Sequence, residues 1–90
     1  MAADTAHVQI DFTTFVLSLG SSALVHLGEM EHPEARQAQE NLQLARQTID
    51  ILAMLSEKTH GNLSSEESRF LADLLSELRL RFVERSRARP

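Results

Sequence analysis

Ninety residues and 10.1 kDa allow one small domain and leave no room for a second core. With 42% hydrophobic and 24% charged residues the chain is no disordered polymer, and three Gly and two Pro are too few for a turn-rich β sandwich or barrel. The absence of cysteine excludes a disulfide framework, a thiol nucleophile and a Cys-ligated zinc site, and without Trp or Tyr the usual stacking platforms for single-stranded nucleic acid are missing.

The formal charge of −4 is unevenly divided. Residues 1–78 carry twelve acids against four bases (Arg36, Arg46, Lys58 and Arg69), a balance of −8. Residues 79–90 carry five arginines against Glu84, a balance of +4. The stretch from Met1 to Asp11 has no Lys or Arg, so it lacks the positive region of a secretory signal. The most apolar stretch, Phe12 to Leu27, is interrupted by Thr, Ser, Gly and His and falls short of the roughly twenty residues of a bilayer span. These features predict a cytoplasmic protein.

In chain order, residues 1–10 read as a flexible tail, residues 11–84 as a single helical domain and residues 85–90 as a basic tail. Asp11 is the expected N-cap of a first helix, because its carboxylate can accept from the free amides of the first turn. Apolar residues then recur at helical spacing: Phe12, Phe15, Val16, Leu19, Ala23 and Leu27, with Gly28 as the left-handed stop. Glu29 to Pro33 form a connection, and Pro33 suits a first helical turn. The second helix is predicted from Glu34 to Lys58, with Leu42, Ala45, Ile49 and Leu52 on one line. Thr59, His60, Gly61 and Asn62 end it. Ser64 and Glu67 form a capping box for a third helix, predicted to reach Glu84 and to bury Phe70, Leu71, Leu74, Leu75, Leu78 and Phe82. The fold class is all-α: a long antiparallel hairpin of the second and third helices, with a shorter N-terminal helix packed on it.

Laid out at about 100° per residue, the first helix adds Leu17 and Leu24 to its main stripe, an apolar arc of roughly 200°. It carries no Asp, Glu, Lys or Arg between Asp11 and Glu29. The second helix adds Leu44, Ile51 and Leu55, and the third places Leu80 and Val83 off its main face. A helix in a monomeric bundle needs an apolar arc only a little over 100°. The surplus predicts a homo-oligomer, a dimer first or a higher helical bundle, with Phe15, Leu17, Leu24, Leu44, Ile51 and Leu55 lining the contacts. An unidentified protein partner is the other occupant such a surface admits. Gly20, among Ser21, Ser22 and Ala23, marks a close helix crossing, within the chain or between subunits.

The run Phe15-Val16-Leu17-Ser18-Leu19-Gly20-Ser21-Ser22-Ala23-Leu24-Val25-His26-Leu27-Gly28 resembles the opening of a short family known only as domain of unknown function 1844. The likeness continues through Ala45, Thr48 to Leu52, Met54, Leu55, Lys58, Thr59, Gly61 to Leu63 and Glu67, and ends with Leu78, Arg79, Phe82 and Val83. It covers roughly residues 12–83. The resemblance implies a short, bacterial, helical protein. It carries over no activity, cofactor or catalytic residue.

Residue chemistry adds little to suggest an enzyme. His26 falls between Phe15 and Leu19 on the apolar side of its helix, where an imidazole is a structural group or, with Glu29 and His32 nearby, a ligand. The repeated Glu-x-x-His spacing of bundle metal sites is missing. Lys58 to Asn62 lacks the several glycines of a phosphate-cradling loop, and Ser64 and Ser65 belong to a cap rather than to a Ser-His-Asp constellation. The expectation is a non-enzymatic oligomerisation or scaffold module with no cofactor or metal. The alternative is a polyanion-binding accessory protein, with Arg79, Arg81, Arg85, Arg87 and Arg89 contacting nucleic acid or anionic lipid. The −8 body opposes such partners, and the helix dipole already favours cations at that end.

Overall fold

In a computed structural model, residues 10–30 and 40–88 are described, and they form three helices: α1 (Phe12–His26), α2 (Leu42–Lys58) and α3 (Ser65–Ala88). No strand occurs among the described residues. The helix ends follow the local chemistry of the sequence. The Asp11 carboxylate accepts from the Thr14 N–H at 2.7 Å, and that backbone bond is the main reason its carboxyl titrates below the usual carboxylate value. At the other end of α1 the Gly28 N–H donates to the Val25 carbonyl and the Glu29 N–H to that of Leu24. This is the Schellman arrangement, which needs the positive φ of 79° found at Gly28. Ser64 and Glu67 cap α3 reciprocally: the Ser64 N–H donates to Glu67 Oε1 at 2.9 Å and the Glu67 N–H to Ser64 Oγ at 3.1 Å.

Two boundaries differ from the sequence expectation. The second helix does not run unbroken from Glu34. Asn41 is extended (φ −153°, ψ 94°), its side chain accepts from the Leu44 N–H at 3.1 Å, and α2 begins at Leu42. The strong helix formers at residues 34–40 conceal such a cap in the sequence, although Asn is among the strongest N-cap residues. The predicted helix over 34–39, the role of Pro33 and all but the last residue of the 1–10 tail lie outside the described residues. The third helix runs past Glu84 to Ala88, so Arg85 and Arg87 belong to its last turn rather than to a tail. Within that turn Arg85 pairs with Glu29, a contact that sequence spacing does not reveal.

The Asn41 N–H donates to the His26 carbonyl at 2.7 Å, so α2 starts where α1 ends. After the short connection from Lys58 to Ser65, α3 doubles back along α2, bringing Arg79, Phe82 and Val83 beside Arg46, Ile49 and Asp50. Gly20 meets Leu74 and Glu29 meets Arg81 and Arg85, so α3 rises alongside α1 in the same direction. The result is an up-down-up bundle. Its core comprises Val16, Ala23 and Leu27 from α1, Ala45, Ile49 and Leu52 from α2, and Leu71, Leu75 and Leu78 from α3. Each helix thus buries most of the stripe expected from its periodicity, with Phe12, Leu19, Leu42, Phe70, Leu74 and Phe82 packed around it half-buried; Phe15, expected on the α1 stripe, stays exposed because it lies at the stripe's outer edge.

Candidate interaction surface

Large apolar side chains remain on the outside. Phe15 is 44% exposed, Leu17 52%, Leu44 41% and Ile51 37%, whereas Leu24 and Leu55 are half-buried. Leu80, Val83 and Met54 are exposed as well. The single-chain bundle therefore hides one stripe per helix and leaves much of the second uncovered.

Helix periodicity and the α3 contacts sort these residues into faces. On α1, the edge that holds Gly20 and leads to Glu29 borders α3. On α2, Arg46, Ile49 and Asp50 share a shallow groove with Arg79, Phe82 and Val83 of α3. The remaining edges of α1 and α2 border each other. At 100° per residue, Phe15, Leu19, Ser22 and His26 follow one another along that edge of α1, and Leu44, Thr48, Ile51 and Leu55 along that edge of α2. The antiparallel register fixed by the Asn41–His26 bond sets Leu44 near His26 and Leu55 near Phe15. None of the eight is Asp, Glu, Lys or Arg. Four of the six sequence candidates, Phe15, Leu44, Ile51 and Leu55, thus come together on one α1–α2 face. Leu17 and Leu24 do not join them, because they lie on the α3 side of α1.

The α1–α3 side has a different chemistry. An alanine Cβ at Gly20 would stand 3.0 Å from a methyl carbon of Leu74, so the close crossing marked by Gly20 is made within the chain. Beyond it the Glu29 carboxylate accepts from Arg81 Nη1 and from Arg85 Nε, each at 3.1 Å. Arg81 also donates from Nε to Glu77 at 2.7 Å, and Arg85 Nη2 reaches the Gly28 carbonyl at 3.3 Å. This clamp ties the end of α1 to the last turns of α3. Its α1–α3 bonds span more than fifty residues of sequence, whereas the Glu77–Arg81 bond spans only four.

The remaining candidates are placed as follows. Arg81 and Arg85 are held in the clamp, Arg79 and Arg87 are exposed, and Arg89 lies outside the described residues. His26 is half-buried, and its Nδ1 is buried without a hydrogen-bond partner. Glu29, its suggested co-ligand, turns to the arginines instead, and His32 lies outside the described residues. No group of three metal-ligating side chains occurs among the described residues. At Lys58–Asn62 the following helix begins with Glu66 and Glu67, whose charge occupies the position an anion would take. No described helix is long and apolar enough to cross a membrane.

A family model described as a domain of unknown function (DUF1844) matches residues 9–84, which span all of α1 and α2 and most of α3. No curated protein and no solved structure matches the chain.

Proposed function

This chain belongs to the domain of unknown function (DUF1844) family, and on that premise we propose that it is a non-enzymatic self-association module, a cytoplasmic helical scaffold whose first assembly is a homodimer. The observation that carries the reading is the surplus of apolar surface: the core is filled by one stripe from each helix, yet Phe15, Leu17, Leu44 and Ile51 stay exposed.

Magnitudes set the kind of assembly. Fully burying such a side chain is worth about 1.5–3 kcal/mol, so covering the remaining two-fifths of Phe15, Leu44 and Ile51 in both copies contributes about 4–7 kcal/mol. Association costs on the order of 4–15 kcal/mol in lost freedom. The apolar gain from these three side chains offsets only the low end of that cost, so they support at most a weak dimer populated at high concentration, and not an obligate one. Polyanion binding through the C-terminal arginines has less behind it, since Arg81 and Arg85 are already engaged by Glu29. Multi-angle light scattering over a wide concentration range tests the proposal. A mass rising from monomer towards dimer supports it, and a monomer mass at every concentration refutes it.

A further inference from the structure

We propose that the second copy docks on the α1–α2 face, two such faces meeting across a two-fold axis to close a four-helix core. This rests on the self-association reading and specifies where it happens. A two-fold interface presents the same patch from both molecules, so the patch must be complementary to itself. Apart from Lys58, which ends the Leu44–Ile51 line of α2, the face is uncharged and largely apolar, and it meets that condition directly. The other faces do not. The α1–α3 side holds Glu29, Glu77, Arg81 and Arg85, and the α2–α3 groove holds Arg46, Asp50 and Arg79, all of which would be desolvated on burial.

Shape and area agree. Exposed Ser22 occupies the middle of the face with Thr48 buried beneath it, and the bulkier Phe15, Leu19, Ile51 and Leu55 lie towards one end, with Leu44 and His26 towards the other. The small Ser22 at the centre lets opposing helices come to ordinary packing distance. Helices of 15 and 17 residues side by side present a face about 25 Å long and about 20 Å wide. That is on the order of 500 Å² per copy and about 1,000 Å² for the pair, the lower bound of a specific interface. The face takes in Phe15, Leu44, Ile51 and Leu55 and leaves out Leu17 and Leu24.

The test compares two substitutions of equal charge, Ile51→Glu and Leu17→Glu, in the full chain by sedimentation velocity. Ile51→Glu is expected to weaken the dimer by at least about 100-fold, because each copy then buries a carboxylate, and Leu17→Glu to leave it within about threefold. Phe15→Ser, a milder change, replaces Ile51→Glu if a thermal melt shows that variant unfolded. Since the chain has no cysteine, Ser22→Cys supplies one exposed thiol on the face and Asp73→Cys one on α3. A short bismaleimide should link Ser22→Cys into dimers and leave Asp73→Cys monomeric. A dimer that survives Ile51→Glu but is lost in Leu17→Glu overturns this face and leaves self-association standing. A wild-type chain that is always monomeric overturns both.

Discussion

Along its α3 edge, helix α1 presses Gly20 against the methyls of Leu74 and ends on a carboxylate held by two arginines. Along its α2 edge it presents Phe15, Leu19, Ser22 and His26 and no charge at all. The helix is the same and its sequence is uniformly free of charge from Phe12 to Gly28, so the difference comes from what its neighbours supply. Helix α3 outlasts α1 and brings Glu77, Arg81 and Arg85 to seal one seam. Helix α2 brings Leu44, Ile51 and Leu55 to the other and leaves it apolar. A bundle of this size can finish one side of a helix with polar groups and keep the other for association.

Five measurements break or sharpen that contrast. Leu52→Ala, at a fully buried position beneath both seams, should cost about 2–5 kcal/mol in a urea melt, because the cavity it leaves cannot collapse. Gly20→Val strikes the sealed edge alone: its branches drive into Leu74, with an expected loss of about 1–3 kcal/mol in the same assay. Glu29→Gln removes the charge of the clamp and should cost about 1 kcal/mol in low salt, shrinking as salt is added, since these side chains are about a third exposed. On the open edge, Ile51→Ser should change the melt of the dilute monomer by about 1 kcal/mol, since three-fifths of the side chain is already covered, while reducing association by sedimentation. Smallest of all is Asp11→Ala, on a fully exposed cap. The Asp11 carboxyl titrates below its unfolded value in the fold, so its stabilisation is present above the ordinary carboxylate range and fades as pH falls through the lowered value. Melting curves of Asp11→Ala and wild type should therefore differ slightly at neutral pH and converge in acid.

Much of this architecture is legible in the sequence because local rules act over three or four residues. Asp11, Gly28 and the Ser64–Glu67 box each satisfy backbone groups of their own turn, and most of the buried stripe of every helix follows from a period of 3.6. The Asn41 cap is hidden because residues 34–40 are all strong helix formers, and propensity of that kind reads as continuity even where the backbone at Asn41 is extended. The candidate surface was legible as a surplus but not as a place. Leu17 and Leu55 are alike on a helical wheel, each just off a main stripe, and nothing local says that one borders α3 and the other the α1–α2 seam.

The amino-acid sequence by itself determined three helices, their caps and the stripes they bury, because hydrogen bonding within a turn and apolar periodicity depend only on near neighbours. Tertiary structure alone decided which edges meet. The reach from Glu29 to Arg81 and Arg85, the seating of Gly20 against Leu74 and the gathering of Phe15, Leu44 and Ile51 on one face all join residues far apart in the chain. Such pairings depend on how three rods pack around a common core, and the handedness and register of that packing are properties of the assembled bundle rather than of any one helix.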